Sequence, residues 1–218
     1  MDCVNAIKQR KSIRSFTKDV PPKALILECL EAASWAPNPT AQQPWQFIVL
    51  SGDSLKKVSD IIKKSYSNTA GKTAPQLTEN SENARILEQR KKDNFTEMLN
   101  FLKQQNVDMA SLGEGNFNFH QAPLAIIFAT FPYKDQNYLK SAVSAMQTFM
   151  LAAAAHGLGT CWANAVSICQ DTIKKELGLQ DELILVDGIS VGYPDLEAPI
   201  NNVPRHRLPI EQVVSWLE

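Results

Sequence analysis

The amino-acid sequence predicts a single layered domain of the α+β or α/β class. Three observations support this: apolar runs of strand length, helical stretches interleaved with those runs, and a composition close to the globular average, with 44% hydrophobic and 21% charged residues among 218. No internal repeat, low-complexity tract or linker divides the chain. We therefore assign residues 1–218 to one domain.

Two helices are predicted in the N-terminal part of the chain. Asp2 can cap a short helix that runs through Gln9. The second helix, Lys23 to Ala33, follows two prolines, which are favoured in a first turn, and its apolar residues share one face. It ends before Pro37 and Pro39, because proline cannot continue a helix.

Three apolar runs predict strands, namely Trp45 to Leu50, Ala122 to Phe131 and Leu183 to Val191. The first run is nearly continuous, so we expect it to be buried on both faces. A polar helix is predicted over residues 53–65 and another around residues 174–179. The proline-rich tail from Pro194 onward is expected to be extended rather than helical.

The helix predicted over residues 140–156 is apolar nearly all round. A helix without a polar face needs burial on every side. It therefore belongs either to the middle of the core or to a subunit interface. Gly157 and Gly159 are expected to end it, as glycines commonly do.

The stretch from about residue 68 to residue 119 differs in amino-acid composition from the rest of the chain. Residues 79–105 are rich in charged and amide side chains, with one apolar stripe formed by Ile86, Leu87, Phe95, Met98, Leu99 and Leu102. This pattern is typical of one or two surface helices that cover a site and determine what it admits. An irregular insertion with no functional role would give the same pattern.

Charge, hydropathy and cysteine usage exclude several classes of protein. A formal net charge of -1 gives no global attraction to nucleic acid or to an anionic membrane. No apolar stretch is long enough to span a membrane and no export signal is evident, so a cytoplasmic location is expected. The cysteines form neither a CxxC pair nor a zinc pattern, and are expected to be free thiols: Cys3, Cys29, Cys161 and Cys169.

Two compact basic clusters lie near opposite ends of this nearly neutral chain. The first runs from Lys8 to Lys18 without an acidic residue and includes Ser12, and the second is Arg205-His206-Arg207. A basic run is usually a solvated helix face. Two short clusters, however, suit one anionic group, and arginine forks with a serine hydroxyl commonly hold phosphate. A nucleic-acid surface would be broader and would carry aromatic side chains.

The sequence contains no obvious catalytic side chain. GxGxxG after a strand, GxxxxGK[ST], HExxH and GxSxG are all absent. His120 and His156 lack a partner at metal spacing and are expected to be core or cap residues rather than ligands. Cys161 is expected to be a buried thiol rather than a nucleophile. A phosphate site without such a side chain indicates that a cofactor supplies the chemistry.

Five motifs in order resemble the FMN-dependent nitroreductase family: RKSIRSF at 10–16, WAPNPTAQQPWQFIVL at 35–50, HGLGTCWAN at 156–164, ISVGYP at 189–194 and RHRLP at 205–209. They span nearly the whole chain, with residues 68–119 as the divergent stretch. The resemblance implies an α+β, three-layer fold whose mainly antiparallel sheet is flanked by helices. It also implies an intertwined homodimer with FMN at the subunit interface.

The resemblance further implies which residues bind FMN. Arginines and a serine of the basic clusters would hold the phosphate, and Arg14 would lie by the pyrimidine edge, where a positive charge stabilises the reduced flavin. The loop at 37–43 would come from the other subunit, and the backbone of residues 163 and 164 would lie near flavin N5. The complete set is Arg10, Lys11, Ser12, Arg14, Pro37, Asn38, Pro39, Thr40, Gln43, Asn68, Trp162, Ala163, Asn164, Arg205 and Arg207.

The sequence departs from the family pattern at a few positions. Ala41 and Thr148 stand where the family often has Asn, and the stretch after Trp162 lacks the usual glycine or acidic residue. FMN binding is still expected, whereas the acceptor and the flavin potential stay open.

The expected function is that of an FMN-dependent NAD(P)H oxidoreductase. The resemblance implies a ping-pong cycle in which NADPH or NADH gives hydride to flavin N5 and a nitroaromatic or quinone-type acceptor then takes the electrons. Expected partners are a second copy of the chain and small molecules, with no nucleic acid, no membrane and no metal. The alternatives are a family enzyme of different chemistry, such as a dehydrogenase or a dehalogenase-like reductase, and a non-catalytic flavin-binding or storage protein.

Overall fold

A computed structural model describes residues 2–69, 82–107, 114–134 and 136–217. For residues 66–69 and 83 it describes the backbone alone. The side chain of Asn68, one of the predicted flavin contacts, therefore lies outside the described part, as do residues 70–81 and 108–113 of the divergent stretch.

The described residues form the following α-helices and strands, given in chain order. They are α1 (Cys3–Gln9), α2 (Lys23–Ser34), β1 (Trp45–Ser51), α3 (Gly52–Thr69), α4 (Glu82–Gln104), β2 (Leu124–Thr130), α5 (Asn137–Ala155), β3 (Gly159–Ala163), α6 (Ala165–Ile168), α7 (Gln170–Leu177) and β4 (Ile184–Gly192). The predicted cap of α1 is confirmed, since the Asp2 carboxylate accepts from the Asn5 backbone N–H at 3.0 Å. No helix in the described ranges has both the length and the apolar character needed to cross a membrane.

The four strands form one antiparallel sheet in the order β1-β2-β4-β3. Val49 of β1 faces Ile126 of β2, and Cys161 of β3 faces Ser190 of β4. A register shift interrupts the β2–β4 ladder between Phe128 and Ala129.

Helices cover both faces of the sheet, which confirms the three-layer α+β fold. Every residue of β2 is buried, and alternate side chains point to opposite faces. One face, with Ile126 and Phe128, packs against α2 and α5, and the other, with Ile127, packs against α3. Removing both apolar faces from water is the main favourable contribution to folding.

Helix α5 lies in the middle of the core. Its buried residues, Ser141, Ala142, Ala145, Met146, Phe149, Met150 and Ala153, form the face that packs against the sheet and α2. The composition of this helix predicted a place either in the core or at a subunit interface. For the face that packs against the sheet, the core position is confirmed. Val143, on the opposite side, is 40% exposed.

The structure differs from the sequence-based expectation in three elements. Strand β1 was expected to be buried on both faces, but it is an edge strand in which only Leu50 is fully buried. Strand β3 was not predicted, because Gly159 was assigned to the end of a helix. The tail has no α-helix among its described residues, as expected, but it contains two 3₁₀ turns, Pro199–Asn202 and Ile210–Gln212.

Among its described residues, the divergent stretch contributes one long helix, α4, within the expectation of one or two surface helices. The predicted apolar stripe is only partly buried: Leu102 is fully buried, whereas Phe95 is 55% exposed. All four cysteines are unpaired, as expected, and Cys3 alone among them is exposed.

Candidate functional site

The segment after α1 lies beside the start of β3. Ser12 pairs in parallel with Thr160, and the Ile13 backbone N–H donates to the Thr160 carbonyl at 2.9 Å. A Cβ on Gly159 would lie 2.9 Å from side-chain carbons of Ile13, so glycine is what permits this close approach. The first basic cluster is therefore held against the edge of the sheet.

Asn201 joins the C-terminal tail to this segment. Its Oδ1 accepts from the backbone N–H groups of Arg14 at 2.7 Å and Ser15 at 3.2 Å. Its Nδ2 donates to the carbonyls of Ser15 at 2.7 Å and Asp195 at 2.8 Å. Asn201 is buried with its polar groups satisfied, and it brings the second basic cluster next to the first. Sequence reasoning missed this residue.

The two basic clusters line one cavity of about 300 Å³. All six basic-cluster residues predicted to bind cofactor are in its wall: Arg10, Lys11, Ser12, Arg14, Arg205 and Arg207. No acidic residue is among the described residues that line it. The basic part of the predicted site is thus assembled within a single chain.

The positive charges in this cavity are close enough to affect one another. Partial burial, followed by the charges of Arg205 and Arg207, lowers the pKa of the Arg10 guanidinium. Such an arrangement favours a bound anion, which would relieve the mutual repulsion.

The guanidinium groups of Arg205 and Arg207 differ in their hydrogen-bond partners. The Arg205 guanidinium donates to the backbone carbonyls of Arg10 and, at 2.8 Å, Lys8. It therefore closes the turn after α1 in addition to facing the cavity. Arg207 is exposed and donates to its neighbour's carbonyl, that of His206, at 2.7 Å.

Cys161 lies beneath the basic segment rather than at an open surface. Burial raises the pKa of the thiol, against the lowering effect of Arg14, of a hydrogen bond with Ser12 and of Arg10. A buried thiol held in the neutral form is a poor nucleophile. The structure thus supports the expected role of Cys161 as a structural thiol.

Helix α4 contributes to the wall of the cavity through Asn94 and Met98. Glu97, on the same helix, pairs with His206 of the second basic cluster, with 2.8 Å between Oε2 and Nε2. The divergent stretch therefore contributes to the wall of the basic cavity and contacts its second basic cluster.

The predicted ring-contacting loop at 37–43 is exposed apart from the half-buried Asn38, and it does not line this cavity in the described part of the same chain. Asn38 holds the loop together, since its Oδ1 accepts from the Gln43 backbone N–H at 2.8 Å and its Nδ2 donates to Ala36 O at 3.2 Å. Thr40, Ala41 and Gln43 have positive φ angles of 50°, 53° and 47°. The loop thus projects from the surface in an unusual backbone conformation.

Trp162, Ala163 and Asn164 lie where β3 passes into α6. The Trp162 indole N–H donates to Asp187 Oδ2 at 2.8 Å, and the Ser167 hydroxyl donates to Oδ1 at 3.2 Å. Burial raises the pKa of the Asp187 carboxyl, against the lowering effect of these two hydrogen bonds. Asp187, which sequence reasoning missed, therefore fixes the orientation of Trp162.

Both the sequence and the fold of this chain resemble those of nitroreductases. The family model of the nitroreductase family matches residues 7–193 of this chain. The chain is 27% identical over 212 residues to the 4-nitrobenzoate reductase of Pseudomonas putida, covering 96% of this chain and 92% of that protein. It is 27% identical to nitroreductase NfnB of Mycolicibacterium smegmatis, with 90% and 85% covered.

A solved structure shows the same fold. The FMN-dependent nitroreductase NfnB from Mycobacterium smegmatis, crystallised in complex with NADPH, superposes with a TM-score of 0.83 over 99% of this chain and 97% of that one, at 24% identity. The fold, the order of the motifs and the match over residues 7–193 lead to one conclusion. This chain belongs to the nitroreductase family.

Proposed function

We propose that this protein is an FMN-dependent oxidoreductase that takes hydride from NADPH or NADH and passes electrons to nitroaromatic or quinone-type acceptors. The observation that carries the proposal is the acid-free basic cavity formed by residues 10–14 and 205–207 in a chain of this family. The names of its relatives, including 4-nitrobenzoate reductase and a putative NAD(P)H nitroreductase of Bacillus subtilis, support the choice of reaction.

The residues present fit the phosphate of FMN. A phosphate monoester carries close to two negative charges at pH 7 and offers several acceptor oxygens. The cavity supplies cationic donors and the Ser12 hydroxyl, and the mutual repulsion around Arg10 would fall when a dianion is bound.

FMN, when bound, supplies reversible two-electron chemistry at N5. Arg14 would hold a fixed positive charge beside the ring, which stabilises the negative charge that reduction adds. The backbone N–H groups of Ala163 and Asn164 are the donors proposed for the N5 side. None of the described residues lining the basic cavity is a carboxylate, which suits a reaction that needs positioning rather than a strong general base.

We also propose that two copies of the chain form the functional unit. The tail from Leu208 to Leu217 exposes a series of large apolar side chains, with Trp216 at 87% and Leu217 at 96% exposure. Trp35, just before the projecting 37–43 loop, is 84% exposed. Exposed apolar surface of this kind is typical of an interface. In the dimer, the loop of one subunit would complete the ring site of the other.

An absorption spectrum of the purified protein, followed by anaerobic addition of NADPH and then NADH, tests the proposal. A yellow protein that bleaches on the timescale of turnover is the expected result, and the faster reductant identifies the nicotinamide preference. A yellow protein that stays oxidised with both would favour flavin storage. A colourless protein that takes up no added FMN would overturn the proposal.

A panel of electron acceptors then distinguishes a nitroaromatic or quinone reductase from a dehalogenase-like reductase. After anaerobic reduction, nitroaromatics and quinones should reoxidise the flavin, whereas halogenated aromatics should not. Reoxidation by the halogenated compounds alone would assign this chain to the alternative chemistry.

A further inference from the structure

The C-terminal tail has its last buried residue at Asn201. This residue is 2% exposed, whereas no described residue between 202 and 217 is buried. It lies in the 3₁₀ turn Pro199–Asn202, where its backbone N–H donates to the Ala198 carbonyl at 3.0 Å. Arg205 and Arg207 follow shortly after it in the chain. Their position in the wall of the basic cavity therefore depends on how Asn201 is held.

The side-chain amide of Asn201 binds the first basic cluster with both of its polar atoms. Its Oδ1 accepts from the backbone N–H groups of Arg14 and Ser15. Its Nδ2 donates to the carbonyls of Ser15 and Asp195. These four bonds use the full capacity of a primary amide. Removing the side chain would leave buried backbone groups without a partner, which costs more than losing an exposed hydrogen bond.

Among the described residues, the side chains at 202–207 reach the rest of the chain through exposed polar contacts. These are the bonds from Arg205 to the carbonyls of Lys8 and Arg10, the 3.1 Å bond from Lys11 Nζ to Asn202 Oδ1, the bond from Asn202 Nδ2 to the Leu196 carbonyl, and the Glu97–His206 pair. Exposed contacts of this kind contribute little, because water competes for each partner. The buried amide of Asn201 is therefore the stronger link between the tail and the first basic cluster.

The two basic clusters need such a link because their charges repel each other. Partial burial, followed by the charges of Arg205 and Arg207, lowers the pKa of the Arg10 guanidinium. Asn201 is neutral and itself lines the basic cavity, so it joins the clusters without adding charge. Cationic donors that are fixed before an anion arrives need no costly reorganisation when they bind it.

We propose that Asn201 is a positioning residue for the phosphate of FMN. Its buried amide holds Arg205 and Arg207 beside the first basic cluster, so that both clusters bind the same anion. This inference rests on the proposed function, because it takes the anion to be the phosphate of the cofactor. It also makes the contribution of Arg207 to phosphate binding conditional on Asn201.

Flavin titrations of the full-length protein, freed of flavin, test the role of Asn201. Asn201→Ala should weaken the binding of FMN about 10- to 100-fold, the effect of losing charge-assisted bonds to phosphate. The binding of riboflavin, which lacks the phosphate, should weaken about 3-fold or less. Equal weakening of both flavins would show a merely structural role and would overturn the inference.

A double-mutant cycle with Arg207→Ala tests the conditional contribution. In the wild-type background this change removes a positioned phosphate contact, whereas in Asn201→Ala the guanidinium is no longer positioned. Arg207→Ala should therefore weaken FMN binding about 3-fold or less once Asn201 is replaced. The same loss in both backgrounds would contradict the proposed positioning.

Gln170→Ala is the matched control. Gln170 is a half-buried amide whose Oε1 accepts from the Leu185 backbone N–H at 3.3 Å, and it does not line the basic cavity. Its loss also leaves a backbone group without its partner, but the preference for FMN over riboflavin should stay as in the wild type. A preference that falls as far as in Asn201→Ala would show that destabilisation alone explains the effect.

Hydrogen exchange of the wild-type protein tests the same link without a variant. The backbone N–H groups of Arg14 and Ser15 donate to Asn201, so inorganic phosphate bound to both clusters should slow their exchange several-fold. Unchanged exchange at saturating phosphate would overturn the inference alone, even if Asn201→Ala does not fold. Wild-type protein that binds neither FMN nor phosphate would overturn the proposed function as well.

Discussion

Glu97 and His206 join helix α4 to the second basic cluster, with 2.8 Å between Glu97 Oε2 and His206 Nε2. Glu97 lies on α4 between Asn94 and Met98, which line the basic cavity, and His206 lies between the two tail arginines. Helix α4 is thus attached between Arg205 and Arg207, the two tail arginines proposed to hold phosphate. Both side chains are about half exposed, so the pair is expected to contribute at most about 1 kcal/mol.

Glu97→Gln should loosen α4 without unfolding the protein. Because the pair anchors the C-terminal half of the helix, amides near residues 94–104 should exchange several-fold faster with deuterium. Glu88→Gln is the control, since the ion pair that Glu88 forms in the described part of the chain lies within α4, with Lys91 at 3.4 Å. Equal exchange in the two variants would show that the Glu97–His206 pair does not attach the helix.

Arg207→Ala should weaken FMN binding by about 10- to 100-fold. The exposed guanidinium contacts only a neighbouring carbonyl in the described structure, so its removal leaves phosphate charge uncompensated rather than disturbing the fold. Fluorescence titration of FMN measures the change. Arg85→Ala, an equal loss of charge on the exposed face of α4, should leave the affinity as it is. Unchanged affinity in Arg207→Ala would refute the phosphate assignment.

Assembly should depend on the apolar tail. Sedimentation equilibrium of the wild-type protein at micromolar concentration should give a dimer, and Val213→Lys combined with Trp216→Lys should shift it toward monomer. Leu87→Lys, which charges an exposed apolar position on α4, should leave the dimer intact. A stable wild-type monomer would contradict the proposed assembly.

Ala41→Gly should stabilise the protein by about 0.5–1 kcal/mol. Ala41 has a φ of 53°, a conformation that costs an alanine free energy and costs glycine almost nothing, although glycine also gains freedom in the unfolded chain. Chemical denaturation measures the difference. Ala198→Gly, at an ordinary φ of -69°, should instead destabilise. A loss of stability in both variants would show that the loop backbone is not strained at Ala41.

The stability of the protein should depend on pH through His120. Its pKa is lowered from 6.5 to about 4 in the folded state, so between these values the unfolded state binds more protons. The free energy of unfolding should therefore fall as the pH drops from 6.5 to 4, by about 2–3 kcal/mol. His120→Asn should remove this part of the slope. Denaturation curves across this pH range check it, and an identical slope in the variant would contradict the buried, neutral imidazole.

The local sequence pattern was sufficient to predict most helices and strands of the fold. The period of apolar residues predicted α2, α3 and α5 together with β2 and β4, because it reports directly which faces of a helix or strand are buried. It did not predict that β1 lies at the sheet edge, since a continuous apolar run does not reveal a strand's neighbours. Strand β3 was missed because its five residues are too few to show a period and begin with a glycine.

The sequence alone determined the fold class, the free cysteines and the two basic clusters whose residues line the cavity, since each follows from residue type and spacing. Only the tertiary structure decided how the clusters meet. Asn201 reaches Arg14 across 187 positions, and Asp187 reaches Trp162 across 25. That Asn118 Oδ1 and His120 Nε2 are buried without a hydrogen-bond partner among the described residues likewise became evident only in the folded chain. The physical reason is that a polar side chain's role depends on which partners burial leaves within hydrogen-bond distance, and chain spacing does not encode those partners.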